Sequence, residues 1–542
     1  MDIKRADRKQ RTTRIGLSVL VGTGLLVCTL WLTASVVPSR ADPSPPEAVV
    51  QLTGLWKGLG LASRYVITNQ GTTTATTAHT FYDAQGALIT ITSDLIPSGT
   101  AHIYDLAVVA DLPIGFRGSV TVTANQPITG ALIPFLAYLP LVMRNYRPPP
   151  PPPVYPNDAS YGSQWGLTLI RAPEAWALSK GTGVLIAILD TGTNYYHPDL
   201  SGKVRTDIDW DFIHNDGDAM DDHGHGTHVS GIAAATTNNT QGVAGLGWEA
   251  TVLPLKVLNA QGRGSTDQLI PAIRYAADRG AKVINMSLGG PYPCPSTLQD
   301  AVNYAHSRGV LLVAAAGNRP DITVPAFPAN CTHVLGVAAT TSRDTMASFS
   351  NSGAHVSVAA PGEAILSTCQ DGNYCYMSGT SMATPFVAGL AALVYARFPT
   401  YTPDQVASAI LDQAKDLGPS GWDVDSGCGR IDAFATLWEG AEGNYPVCLG
   451  ARVWGPEGQK AREAGEVVPG EVVVTVRAGG QAERLFGVLG LAPGSERLYT
   501  DRSGVQVWRL RVPVGLEEAI VARLRADPTV IAADRNFIIR AQ

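Results

Sequence analysis

Between residues 157 and 440 short unbroken apolar runs alternate with longer segments whose apolar residues recur on one helical face. The runs 184–189, 252–257, 282–286, 310–315 and 333–338 lack the polar alternation of a half-exposed strand, so they predict strands buried on both faces. The stretches 266–279, 297–308 and 381–397 predict helices. Their interleaving predicts an α/β domain with a mostly parallel sheet covered by helices on both faces. Residues 42–146 read differently. Alternating stretches such as ALITIT (87–92) and GSVTVTA (118–124), bounded by Gly, Pro and Asn, predict short antiparallel strands in an all-β, sandwich-like module. Six prolines at 148–153 make the linker 147–156 a stiff polyproline spacer. After a second linker, 441–465, the tail 466–542 spells strand, helix, strand, strand, helix, strand, a ferredoxin-like α+β order, with Leu516, Ile520 and Leu524 on one helix face.

A chain of 542 residues exceeds what a single core holds, which agrees with this division. A net charge of −6 gives no electrostatic case for nucleic acid. The basic residues Lys4, Arg5, Arg8, Lys9, Arg11 and Arg14 precede 23 uncharged residues, Ile15 to Val37. That order sends the remainder of the chain outward, and residues 1–41 read as a signal peptide, with Ser39-Arg40-Ala41 as cleavage site, or as a membrane anchor through 15–37. The chain is therefore expected to be secreted or held at the cell surface. Downstream lie six cysteines, Cys294, Cys331, Cys369, Cys375, Cys428 and Cys448; an exported chain favours disulfides, and six allow 15 pairings. Cys369 with Cys375 is the preferred pair, with Cys294–Cys331 and Cys428–Cys448 as further candidates.

Three segments carry nucleophilic chemistry: VLIAILDTG (184–192), DHGHGTHVSG (222–231) and SGTSMATPFVAG (378–389). A hydroxyl attacks at neutral pH only when an imidazole takes its proton, and a buried carboxylate must fix that imidazole's tautomer. Ser381 is expected to be the nucleophile, His225 the general base and Asp190, at a strand's carboxyl end, the orienting acid. Ser381 opens an apolar helix, with Pro385 tolerable in its first turn. The strand VLLVAAAGN (310–318) ends at Asn318, whose amide is the expected oxyanion donor together with the Ser381 N–H. No G-x-S-x-G elbow surrounds Ser381, which argues against a lipase or esterase. A binding protein on an inactive version of this fold is the competing class. His197 and His228 are read as structural.

These motifs, with QWG (164–166), APEAW (172–176) and NMSLGG (285–290), resemble the subtilisin-like serine proteases, the thermitase-like branch most closely, over about residues 157–438. The resemblance implies a serine endopeptidase acting on extended polypeptides through an acyl-enzyme. It implies one cleft wall at Ser287, Leu288, Gly289 and Gly290, another from Gly262 to Ser265, and an S1 pocket lined by Ala315, Ala316 and Gly317 with room for an apolar side chain. Arg319 is expected at the pocket mouth, disfavouring cationic P1 groups. It also implies structural Ca2+ at Asp158, Asp199 and Asn239 with the carbonyls of Thr236, Gln241 and Val243. A second site gathers Asp211, Asp216, Asp218 and Asp221, although His214 stands where a carboxylate is expected. The tail resembles the family's inhibitory propeptide, transposed to the far side of the catalytic domain, which implies that residues 539–542 enter the cleft with Gln542 at P1 and Ile539 at P4.

Overall fold

The computed structural model describes residues 34–36, 48–58, 61–62, 64–70, 72–83, 87–105, 117–124, 128–133, 150–320, 326–439, 466–491 and 494–542, in two compact units, 1–149 and 150–542. The expected export segment, apart from Ala34–Val36, the linker 441–465 and Cys448 lie outside the described residues. No helix among the described residues is long and apolar enough to cross a membrane. In the first unit the strands are antiparallel. One sheet runs in the order Ala34–Val36, Ala48–Gly58, Arg117–Ala124, Ala75–Asp83, Leu88–Ile96; the other runs Ala101–Asp105, Arg64–Asn69, Ile128–Ile133. Val120, Val122 and Ala124 point inward along one strand, the period-2 pattern of a half-buried sheet.

In the second unit a parallel sheet carries the site. Its strands are β1 (Leu185–Asp190), β2 (Trp210–Asp211), β3 (Thr251–Lys256), β4 (Val283–Met286), β5 (Leu311–Ala315), β6 (Val334–Thr340) and β7 (Val358–Pro361), in the order β2-β3-β1-β4-β5-β6-β7. Side chains of β1 alternate between two cores. Ile186 and Ile188 join the apolar cluster of helices α1 (His225–Ala234) and α4 (Thr380–Arg397), while Leu185, Ala187 and Leu189 join that of α2 (Thr266–Asp278) and α3 (Ser296–Ser307). Burial on both faces explains why these strands read as unbroken apolar runs; each fully buried Ile or Leu contributes about 2 kcal/mol. Helix α4 is apolar all round because it is buried along nearly its whole length. Disulfides join Cys294 to Cys331 and Cys369 to Cys375, with Cα separations of 5.1 and 5.9 Å. Cys428 is also disulfide-bonded.

The tail belongs to this unit. It runs β8 (Val467–Val476), α5 (Ala482–Val488), β9 (Glu496–Thr500), β10 (Gln506–Arg511), α6 (Glu517–Arg525) and β11 (Val530–Ala541), with antiparallel strand order β11-β8-β10-β9. Ile520, Val521 and Leu524 of α6 pack with Val472, Val474 and Leu510 of the sheet. Leu516 is half exposed just before α6, off the face expected for it.

Candidate active site

Parallel sheets present their ligand sites at the carboxyl ends of the strands, and Asp190 is the last residue of β1. It is fully buried, and its Oδ1 accepts from Thr191 N and from His225 Nδ1, each at 2.7 Å. With Nδ1 donating to Asp190, the His225 Nε2 lone pair is left free, and that atom is buried without a hydrogen-bond partner. Burial pushes the ring toward its neutral form, but the Asp190 carboxylate, with Asp221 and the Gln542 backbone behind it, outweighs burial and holds its pKa above the ordinary 6.5.

His225 opens α1 behind Gly224, whose φ of 103° favours glycine. Asp221 holds this turn: Oδ1 accepts from Thr191 Oγ1, His223 N and Gly224 N, and Oδ2 from Thr227 N and Oγ1, all within 2.6–2.9 Å. His228, one turn on, has its pKa pushed down to about 4 by burial, with Nε2 3.0 Å from Cys375 O; His197 Nε2 lies 2.9 Å from Asn373 O. Both are structural.

Ser381 differs from expectation in two respects. Helix α4 begins at Thr380, and Pro385, expected in its first turn, is its sixth residue; its missing N–H leaves the Ser381 carbonyl without its helical donor. Ser287 Oγ supplies one at 2.8 Å. The nucleophile's Oγ in turn donates to Ser287 O at 2.9 Å, making a two-bond clasp with Asn285 Nδ2 3.0 Å behind Ser287 Oγ. The second difference is that no hydrogen bond joins Ser381 Oγ to His225 Nε2, because the Ser381 proton is directed to Ser287 O and its oxygen accepts from Gln542 N at 3.1 Å. Asn318 is oriented for donation: its Oδ1 accepts from Thr380 N and Oγ1, both at 2.9 Å, which frees Nδ2. A Cβ built on Gly379 would lie 3.1 Å from that Nδ2 and 3.0 Å from Gln542 O, so both atoms border one space above the nucleophile. Asn285, Thr380 and Asp221 in this supporting role escaped the sequence reading; the proline four residues after Ser381 was the usable signal.

The two cleft walls are brought together around β11. Arg263–Ser265 pairs antiparallel with Ile538–Arg540, and Leu288–Gly289 with Arg540–Ala541, so the tail is the middle strand of three. Ala541 N donates to Gly262 O at 3.0 Å and Gln542 N lies 3.3 Å from Ser287 O. The Gln542 side chain donates Nε2 to Gly289 O at 3.1 Å beside a cavity lined by Gly317, Asn318, Arg319 and Asn351. Ala315 and Ala316 do not line it. Both are fully buried, and the Ala316 carbonyl is held by Asn351 and His355. Ile539 is fully buried. Outside the cleft, Asp534 Oδ2 accepts from Ser296 Oγ, Thr297 N and Thr297 Oγ1 at the start of α3, within 2.7–2.9 Å. Asn536 Oδ1 accepts from Thr266 Oγ1 and Asp267 N at the start of α2. Arg274, almost fully buried, bridges Asp300 and Asp501 of the tail.

The first calcium set is assembled in one place. Asp158 accepts from Asn238 N and Asn239 N, and Asp199 from Asn239 Nδ2 and Val243 N, with Thr236 N on Asp199 O. Burial and then the nearby Asp199 charge push the Asp158 pKa up, as expected of two carboxylates sharing a site with no cationic side chain bonded to them among the described residues. Hard oxygen donors around uncompensated negative charge fit Ca2+. The second set is brought together only in part, Asp211 and Asp216 forming one β-bridge. No cluster of three or more His, Cys, Asp or Glu able to hold a metal occurs among the described residues, Asp221 is spent on the His225 turn, and Asp211 is bonded to His214 Nδ1 at 2.7 Å. Asp216 accepts from Asp218 N, and Asp218 from Met220 N and from Tyr195 OH.

A buried carboxylate-imidazole pair, a serine at a helix start and an oriented amide, on a parallel sheet with a strand-lined cleft, define a serine endopeptidase. The chain belongs to the subtilase family. The peptidase S8 model, "Subtilase family", matches residues 181–429. Thermitase of Thermoactinomyces vulgaris is 44% identical over 285 residues, covering 52% of this chain and 99% of that protein. The thermophilic serine proteinase of Bacillus sp. (strain AK1) is 49% identical over 242 residues, 44% of this chain and 59% of that one. The cell wall-associated protease of Bacillus subtilis (strain 168) is 41% identical over 275 residues, 48% and 30%. The chain thus spans nearly all of the first and less than two thirds of the other two.

Proposed function

We propose that this chain is an exported endopeptidase acting through an acyl-enzyme at Ser381, and that residues 466–542 serve as its built-in inhibitor and folding aid. The observation that carries this reading is the tail strand lying between both cleft edges with Gln542 N on the Ser381 hydroxyl. Once the tail leaves, the Ser381 hydroxyl loses that donor and turns toward His225 Nε2. The Ser381 proton passes to Nε2 as Oγ bonds to the scissile carbonyl carbon, and the carbonyl electrons move to oxygen, stabilised by Asn318 Nδ2 and Ser381 N–H. Collapse breaks the C–N bond, the leaving amine takes the proton from Nε2, and water repeats the sequence to release the acid. Asp190 keeps the imidazole in the tautomer this requires.

The proposed organisation is an export segment at 1–41, a β module at 42–146, a polyproline linker at 147–156, the catalytic domain at 157–440, a linker at 441–465 and the inhibitor at 466–542. Asp158, Asp199 and Asn239, with the Thr236, Gln241 and Val243 carbonyls, would hold Ca2+, whose charge offsets the two carboxylates. Cell wall-associated and extracellular relatives and the basic-then-apolar amino terminus support work outside the cytoplasm. Covalent labelling of the full chain by a fluorophosphonate tests the chemistry: labelling is expected and is lost in Ser381→Ala. Persistence of label in that variant refutes the assignment. Removing 466–542 is expected to lower folding yield or raise activity; no change in either removes the inhibitor role.

A further inference from the structure

Lysines rarely lie in a protein's interior, yet Lys256, the last residue of β3, is only 1% exposed. It is the register partner of Asp190 on the neighbouring parallel strand. All three donors of its ammonium are matched: Nζ donates to Thr191 O at 2.7 Å, to Leu258 O at 2.8 Å and to Asp222 Oδ1 at 2.6 Å. Two of these acceptors adjoin the catalytic pair in sequence. Thr191 follows Asp190, and Asp222 follows the Asp221 that holds the His225 turn. A second tie runs beside the first, since Thr191 Oγ1 donates to Asp221 and accepts from Gly226 N at 2.9 Å. The end of β1 and the start of α1 are thus joined through one buried cation.

The charges around His225 show what that cation can do. Asp190 and Asp221 lie beside the ring and its turn, and among the described residues neither is bonded by a lysine or arginine. The other groups near the ring are His223, with centroids 6.3 Å apart, His228, which burial keeps neutral down to about pH 4, and the Gln542 backbone while the tail is docked. Around Lys256 lie Asp222 and, on β2, Asp211, whose carboxylate is taken by His214. Two unopposed carboxylates favour imidazolium, and an imidazole that keeps its proton is no base. From this geometry we propose, building on the endopeptidase reading above, that Lys256 is a positioning residue for the Asp190–His225 pair. It locks the Asp190 strand end to the Asp222 turn and offsets the negative charge behind His225, so the ring releases its proton as readily as it takes one.

The test is the acid limb of Ser381 labelling by excess fluorophosphonate in the full-length protein, whose midpoint reports His225. Neither Lys256 nor Asp222 bonds to the tail among the described residues, so tail opening affects wild type and variants alike. Lys256→Met keeps the length and removes the charge. It is expected to raise the midpoint by about half a pH unit or more, about a threefold lower rate on the limb. Lys256→Arg should hold the midpoint near the wild-type value. Asp222→Asn is the opposite perturbation: it leaves the cation unopposed at a side chain that is 40% exposed, so the fold is retained and the midpoint should fall. Opposite movements support the proposal, because a packing role alone lowers the rate evenly at every pH. Unmoved midpoints, movement of Lys256→Met and Asp222→Asn in one direction, or an Arg variant that behaves like Met overturns it with the endopeptidase reading intact. Should Lys256→Met fail to melt cooperatively, Asp222→Asn decides, and a midpoint unchanged or raised overturns the proposal. Absence of labelling in the wild type overturns both.

Discussion

Replacing Asp534 by Ala should open the cleft without touching it. The Asp534 carboxylate accepts three hydrogen bonds from the first turn of α3, two from hydroxyls and one from Thr297 N, at the positive end of a twelve-residue helix. Bonds to a charged group are worth about 1.5–3 kcal/mol net, and the helix end adds about 0.5 kcal/mol. Water replaces part of this once the tail lifts, so about 2 kcal/mol of docking free energy should be lost, roughly thirtyfold in the open-to-closed ratio. The assay is the pseudo-first-order rate of Ser381 labelling by excess fluorophosphonate, which scales with the open fraction while the tail is mostly closed. A rise of about thirtyfold is expected for Asp534→Ala and a smaller one for Asp534→Asn. Arg525→Ala, which removes the carboxylate's partner within the tail but leaves the α3 bonds, should do less. A rate for Asp534→Ala within twofold of wild type would show that the α3 contact does not hold the tail.

Asn318→Ala should lower kcat by about 10²–10³ with little change in KM, since the amide acts on the developing oxyanion; equal losses in binding would refute that role. In the closed full chain, NMR titration should find the His225 ring still protonated above the ordinary 6.5, while His228 stays neutral until about pH 4. Because catalysis needs neutral His225, activity should be lost as pH falls through its raised pKa, and a profile flat to pH 5 would contradict the Asp190 pairing. Chelation by EDTA should lower Tm and added Ca2+ restore it, with Asp158→Asn blunting both; an unchanged melting curve would exclude the site.

Much of this molecule was legible because several of its features are local. The five apolar runs fell on strands, since a strand buried on both faces needs no alternation, and Asp190, His225 and Asn318 sit where strand ends and helix starts place them. The cleft walls and the register of residues 539–542 rest on family likeness rather than on any local pattern. What escaped depends on contacts between distant residues. Ala315 and Ala316 are expected at the pocket from family likeness alone; Ala315 ends β5 fully buried, and Ala316, one residue past it, packs with Ala338, Val356 and Ala359. The carboxylates before His225 look like one cation site, yet Asp221 faces the α1 turn and Asp211 faces His214. Pro385 is the fifth residue counted from Ser381, already past one turn, so its missing N–H leaves Ser381 O to the Ser287 clasp, a contact that the local pattern does not show.

On the proposed inhibitor reading, the contacts of the tail divide into those a substrate could copy and those it could not. Bonds such as Ala541 N to Gly262 O and Gln542 N to Ser287 O use main-chain atoms, so any extended substrate makes them equally well. A tail that relied on them would be outcompeted by each passing peptide and hydrolysed or expelled. The contacts a short peptide cannot copy lie behind the cleft: Asp534 at the start of α3, Asn536 at the start of α2, and Arg274 between Asp300 and Asp501. They tie a folded body to the two helices that flank the cleft, so the entropy of ordering residues 538–542 is already spent when the strand enters. Affinity for the tail therefore resides in the α2 and α3 starts, whereas discrimination among substrates resides in the cleft. Substitutions at Asp534 should therefore shift inhibition and leave the ratios of kcat/KM between substrates unchanged.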